Sequence, residues 1–94
     1  MAKTIKSKLE IAGVNFKTKI CDLDGLCGEV DFLDNVIYIH SGLTKEEQYS
    51  TYIHEIFHII SVKYDLDLEE HDIRLLETAT VSLGIEFNKR GGKK

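Results

Sequence analysis

Apolar residues alternate with polar ones along the first half of the chain, and this pattern predicts β-strands. Between residues 9 and 20 the alternation is interrupted by Gly13 at a natural turn, which favours a hairpin. A second hairpin is predicted where "GEVDF" and "VIYIH" flank the turn residues "LDN". We expect "VIYIH" to form the edge of the sheet beside the helix that follows it.

From Thr44 onward, apolar residues recur every three or four positions, which is the spacing of a helix. Thr44 and Glu47 have the spacing of a capping box, in which each side chain binds a free backbone N–H at the start of a helix. A helix is therefore predicted from there to about Tyr64. Its apolar face consists of Tyr49, Tyr52, Ile53, Ile56, Phe57 and Ile60.

A second helix is predicted to begin near Glu69, after a break at "DLD". Its apolar stripe consists of Ile73, Leu76, Thr80 and Leu83. Strands followed by two antiparallel helices predict an α+β fold, a small twisted sheet of three to four N-terminal strands packed on the first helix and a C-terminal backing helix. The 94 residues suit one domain spanning 1–94, with flexible ends at about 1–4 and 89–94.

Composition and charge narrow the range of partners. The chain carries a net charge of −4, whereas nucleic-acid-binding domains usually present a basic face. No apolar run approaches the roughly 18 residues of a membrane span, and no signal peptide is evident. A cytoplasmic protein is therefore expected, with Cys21 and Cys27 as reduced thiols and with neither a membrane nor a nucleic acid as partner.

The segment "TYIHEIFHII", residues 51–60, carries the pattern with the clearest chemistry. His54 and His58 lie at positions i and i+4 of the first predicted helix, so both imidazoles can reach one ion. Imidazole nitrogen is a preferred ligand of zinc. Glu55 lies beside them and can act as a general base toward a zinc-bound water.

The same residues have a simpler interpretation. Two histidines could form the polar edge of an amphipathic helix, with Glu55 as a solvated charge. The full HExxH pattern favours the metal site, since uncharged Ile56 and Phe57 fill its gap and the helix is predicted independently of it.

A third zinc ligand is expected on the second helix, where Glu70, His71 and Glu77 are candidates. An antiparallel return of this helix brings Glu77 level with the motif. Glu70 could instead complete a helix cap with Asp67, and Glu77 could pair with Arg74.

Residues 28 to 84 resemble the small zincin-like metallopeptidases of phages and mobile elements, which are related to minimal gluzincins and to repressor-cleaving metallopeptidases. The resemblance rests on "GEVDFLDNVIYIH", "EEQYSTYIHEIFHII" and "LDLEEHDIRLL", and it is specific only at the HExxH motif. In that group an acidic residue opens the last helix ahead of an "-LL-" pair, which implies Glu70 as the third ligand. The chain lacks an "E-x-N" helix after the motif.

The resemblance implies a zinc-dependent metallopeptidase that holds one Zn²⁺ per chain. His54, His58 and Glu70 would be the ligands and Glu55 the catalytic base. The substrate would be a peptide bond in a protein, such as a phage or host regulatory protein, in the host cytoplasm. The alternative is a zinc-bearing or vestigial domain that acts as a non-catalytic binding or regulatory module.

Two residues of the "VIYIH" strand are further candidates. Tyr38 could stabilise an oxyanion. His40 could face the cleft, although an exposed histidine at the end of a strand is the simpler expectation.

Overall fold

A computed structural model describes residues 4–85 as one sheet packed on a first helix, with a second helix packed on the first. The elements are β1 (Lys8–Ile11), β2 (Val14–Cys21), β3 (Gly28–Asp31), β4 (Val36–His40), α1 (Lys45–Lys63) and α2 (Glu70–Leu83). The predicted α+β class, with the strands before the helices, is confirmed. The ends that were expected to be flexible lie outside the described residues, apart from Thr4.

Both predicted hairpins are present. β1 and β2 are antiparallel, and their turn uses Ala12 and Gly13 with φ of 53° and 78°. Two consecutive positive φ angles are the signature of the type I′ turn that suits the twist of a hairpin. β3 and β4 are also antiparallel, with Gly28 opposite Ile39, and Asn35 in their connection has φ of 58°.

The sheet order is β1-β2-β4-β3, with β2 and β4 parallel. β4 is therefore an interior strand, and the prediction that "VIYIH" forms the sheet edge is wrong. Its pairing with both β2 and β3 is consistent with the high β-propensity of the apolar run from Val36 to Ile39. The edge beside α1 is β3.

α1 begins and ends where the sequence predicts. Thr44 is its N-cap: the Glu47 N–H donates to Thr44 Oγ1 at 3.1 Å, and the Thr44 N–H donates to Glu47 Oε1 at 2.9 Å. The core lies between the apolar face of α1 and the sheet, which contribute five buried residues each. Its buried members are Leu9, Ile11, Phe16, Ile37, Ile39, Tyr49, Tyr52, Ile53, Ile56 and Ile59.

α2 follows a loop in which Asp65 and Asp67 adopt positive φ, and it returns antiparallel along α1. The predicted stripe on α2 is only half right. Ile73 and Thr80 are buried, whereas Leu76 and Leu83 are 38% and 73% exposed.

The face of α2 that meets α1 has a period of three and four residues and contains two carboxylates, Glu70 and Glu77, besides Ile73 and Thr80. A search for apolar spacing overlooks such a face because acids occupy two of its positions. As a result, both carboxylates point toward the histidines of α1. Within the described range, neither helix combines the length and apolar character needed to cross a membrane.

Candidate metal centre

Three side chains from the two helices converge on one point. His54 and His58 project from successive turns of α1, and Glu70 reaches them from the first turn of α2. His54 Nε2 lies 2.8 Å from Glu70 Oε2, and His58 Nε2 lies 3.2 Å from Glu70 Oε1. Among residues 4–85, this is the one group of three or more potential ligands whose donor atoms lie within 4.8 Å of one another.

Zinc is one of the ions that this donor set could hold. Ligand atoms bound tetrahedrally at about 2.0–2.2 Å are roughly 3.3 Å from one another. The observed separations of 2.8 and 3.2 Å join the two imidazole nitrogens to different oxygens of Glu70 and are those of hydrogen-bonded pairs, so a bound ion would require the side chains to move slightly apart. Two imidazoles and one carboxylate are also a ligand set found in catalytic zinc sites, where a fourth position stays open to water.

Glu70 can reach the histidines because it is not used in the helix cap. The N-cap of α2 is Glu69, whose N–H donates to Asp72 Oδ2 at 3.1 Å. The alternative in which Glu70 completes a cap with Asp67 is therefore wrong. Glu70 also lies 3.6 Å from the Arg74 Nε, so the cation that the sequence assigned to Glu77 pairs with Glu70 instead.

Glu77 contacts the cluster from outside, through His54. As the antiparallel return predicts, it lies level with the motif, but it contacts the other nitrogen of His54, with Nδ1 2.9 Å from Glu77 Oε1. With a metal bound at Nε2, a carboxylate in this position would accept the Nδ1–H and orient the imidazole ring. His71 is exposed and lies outside the cluster.

We expect Glu77→Leu to weaken zinc binding about 10- to 100-fold, because the substitution removes the acceptor that orients His54. Glu77→Gln keeps an acceptor oxygen and should lose less. Competition with a chromophoric chelator would measure each Kd. The control is Glu10→Gln, which removes one exposed carboxylate from β1. An unchanged Kd in Glu77→Leu would contradict the orienting role.

Glu55 lies at the inner side of the cluster, between α1 and β3, and is 8% exposed. Burial raises the pKa of its carboxyl to about 7, His54 opposes this shift, and Glu70 and Glu29 add to it. A carboxyl with a pKa near neutrality can both accept and return a proton at physiological pH, as general acid–base catalysis requires.

Gly28, at the start of β3, makes room for Glu55. An ideal Cβ on Gly28 would lie 2.5 Å from Thr51 Cγ2, 3.0 Å from the Tyr38 carbonyl oxygen and 3.3 Å from Glu55 Oε2. Any side chain at this position would push the strand away from α1. The role of Gly28 depends on its closeness to α1, which no local sequence pattern reveals.

The raised pKa of Glu55 predicts a pH-dependent stability of the metal-free protein. A group whose pKa is higher in the folded state contributes stability at low pH that is lost as the pH rises, here from about 4.5 through about 7. The glutamine in Glu55→Gln cannot ionise. The free energy of unfolding of this variant should therefore rise by about 2–3 kcal/mol relative to that of the wild type between these two pH values. Urea unfolding in chelator at a series of pH values measures the difference, with Glu10→Gln as control. Parallel curves for wild type and Glu55→Gln would contradict the expected shift.

Tyr38 and His40 lie away from the cluster. Ile37 and Ile39 are fully buried against α1, so the alternation along β4 turns Tyr38 and His40 to the opposite face of the sheet. The Leu23 N–H donates to His40 Nδ1 at 3.0 Å, which gives His40 a structural role in holding the loop after β2. This orientation argues against Tyr38 as an oxyanion stabiliser and against His40 in the cleft, and it favours the simpler expectation of a histidine at the end of the strand.

No family model, no curated protein and no solved structure matches this chain. The arguments on function therefore rest on the geometry of the cluster and on the chemistry of its residues.

Proposed function

We propose that the protein is a zinc-dependent metallopeptidase that hydrolyses a peptide bond in a protein substrate. The observation that carries this proposal is the convergence of His54 Nε2, His58 Nε2 and the Glu70 carboxylate beside the buried carboxyl of Glu55. A structural site would need ligands alone. A buried carboxyl next to the ligands that contributes no donor atom to the cluster supports catalysis as well.

Three of the four residues would bind the metal, and the fourth would transfer protons. His54, His58 and Glu70 would hold one zinc ion, which supplies a water of lowered pKa and polarises the substrate carbonyl. Glu55 accepts the proton from the attacking water and then donates it to the leaving amine. Glu77 keeps His54 in the orientation that presents Nε2.

The edge strand β3 offers a place for the substrate backbone. The His40 N–H donates to the Cys27 carbonyl at 2.8 Å, so alternation along an antiparallel pair turns the backbone groups of Gly28 and Val30 away from β4. An extended peptide can add to such an edge through main-chain hydrogen bonds. The sequence assigned this role to β4, and the strand order transfers it to β3.

A second candidate function is a zinc-bearing binding module without catalysis. It is favoured by the position of Tyr38 and His40, because neither of these polar side chains faces the cluster where a second catalytic group would stand. In this case the zinc would stabilise the packing of α1 and α2, and β3 would bind a partner without cleaving it.

Digestion of a proteome-derived peptide mixture separates the two functions. We expect the zinc-loaded protein to generate new peptide termini, detected by mass spectrometry, and the same protein in excess chelator to generate none. Restoring zinc after chelation should restore cleavage. A zinc-loaded protein that cleaves nothing in the mixture would contradict the peptidase proposal and favour the binding module.

A further inference from the structure

A cavity of about 300 Å³ lies along the first two turns of α1, the helix that also carries His54 and His58. Its lining residues are Cys27, Leu43, Glu46, Glu47, Ser50 and Thr51. The lining residues between Leu43 and Thr51 are three or four positions apart, the spacing of one helix face. His54 and Glu55 continue this face of α1 one turn later. The cavity and the cluster therefore share one face of the helix.

The cavity is also continuous with the open strand edge. Cys27, which lines the cavity, directly precedes Gly28, and Thr51, which also lines it, is the residue that a side chain at position 28 would meet first. A polypeptide added to the edge of β3 would pass along the cavity on its way to Glu55. A rise of 1.5 Å per helical residue places the centre of the cavity about 10 Å from Glu55, a distance that an extended peptide covers in about three residues.

The chemistry of the lining selects one kind of side chain. Glu46 and Glu47 bring two carboxylates, no lining residue is cationic, and Leu43 and the methyl group of Thr51 supply apolar surface. Glu47 Oε1 accepts the Thr44 N–H, which leaves Oε2 outside that bond. Lysine and arginine have an apolar stem and a cationic end, which complement such a cavity.

We propose that this cavity binds a lysine or arginine side chain of the substrate, so that the enzyme cleaves within about three residues of a basic residue. This inference rests on the proposed peptidase function, since it assigns the substrate class of the same site. It makes Glu46 and Glu47 specificity-determining residues, and it leaves the chemistry to Glu55 and the zinc ligands.

The test uses a randomised pool of short peptides with two readouts. Zinc-loaded Glu55→Gln, which should bind without cleaving, captures peptides from the pool, and zinc-loaded wild type cleaves the same pool. Mass spectrometry identifies the captured peptides and the cleavage sites. We expect lysine and arginine to be enriched in both sets, at one fixed distance from the cleaved bond.

Variants of the cavity make the test specific. Combined Glu46→Gln and Glu47→Gln, which preserves the capping box because glutamine also serves at that position, should weaken binding of a selected basic peptide roughly three- to fivefold. Glu46→Lys should reduce or reverse the basic preference. Glu10→Gln removes one exposed charge elsewhere and should change nothing. Melting temperatures confirm that each variant folds.

The outcomes separate this inference from the proposed function. Cleavage without a basic preference, or a preference that survives both cavity variants, overturns the assignment of the cavity and leaves the peptidase standing. A basic preference in capture that depends on Glu46 and Glu47, without cleavage by wild type, supports the cavity and overturns the peptidase. Absence of both capture and cleavage overturns both.

Discussion

Replacing Glu55 by glutamine will abolish peptide hydrolysis while the protein still binds one zinc. The amide keeps the size of the side chain but cannot accept a proton from water, and loss of a general base usually costs about 10²- to 10⁴-fold in rate. Glu55 contributes no donor atom to the cluster of His54, His58 and Glu70, so zinc binding should persist. The measurement is kcat/KM on a cleaved peptide, together with metal content by elemental analysis.

Glu29→Gln is the matched control for this prediction. Glu29 is one of the charges that raise the pKa of Glu55, so the same chemical change is made near the site but outside the proton-transfer step. We expect Glu29→Gln to lower the pKa of Glu55 and to shift the pH profile of kcat/KM, while activity at the optimum remains. If Glu55→Gln retained activity within a few-fold of wild type with zinc bound, Glu55 could not be the base.

Local signals were sufficient to predict most elements of the fold. The capping box at Thr44 gave the start of α1, and the turn chemistry at Gly13 gave the first hairpin. The position of β4 could not be predicted in the same way. Its parallel pairing with β2 joins residues 17–21 to residues 36–40 across a loop and a further strand, and no short-range pattern specifies such a pairing.

The same difference between local and long-range information applies to the candidate site. His54 and His58 are one turn apart on one helix, so their spacing alone predicts that they share a face. The choice between Glu70 and Glu77 depends on how α2 packs on α1, and the structure gives each of them a different nitrogen of His54. Gly28 escaped prediction because its role lies in a contact with Thr51, 23 positions further along the chain.

His54→Ala will remove the stabilisation that zinc gives to the folded protein. A ligand that binds only the native state at about one hundred times its Kd stabilises it by about 2.7 kcal/mol. For a domain of this size, that corresponds to a rise of roughly 10–20 °C in Tm. We expect this rise in wild type and none in His54→Ala at the same zinc concentration, because loss of Nε2 leaves one histidine and one carboxylate of the cluster. Thermal unfolding followed by circular dichroism, with and without zinc, measures both.

His71→Ala provides the matched control, since His71 is an exposed histidine of α2 outside the cluster and its loss should leave the zinc-dependent rise intact. A response of His71→Ala like that of His54→Ala would place the metal elsewhere. If zinc left the wild-type Tm unchanged, the cluster would be a set of hydrogen-bonded histidines and carboxylates that joins α1 to α2. Because His54 contacts both Glu70 and Glu77, His54→Ala would still lower the metal-free Tm in that case. It is therefore the zinc-dependent rise in Tm, and not the Tm of the variant alone, that distinguishes a metal centre from a structural contact between the helices.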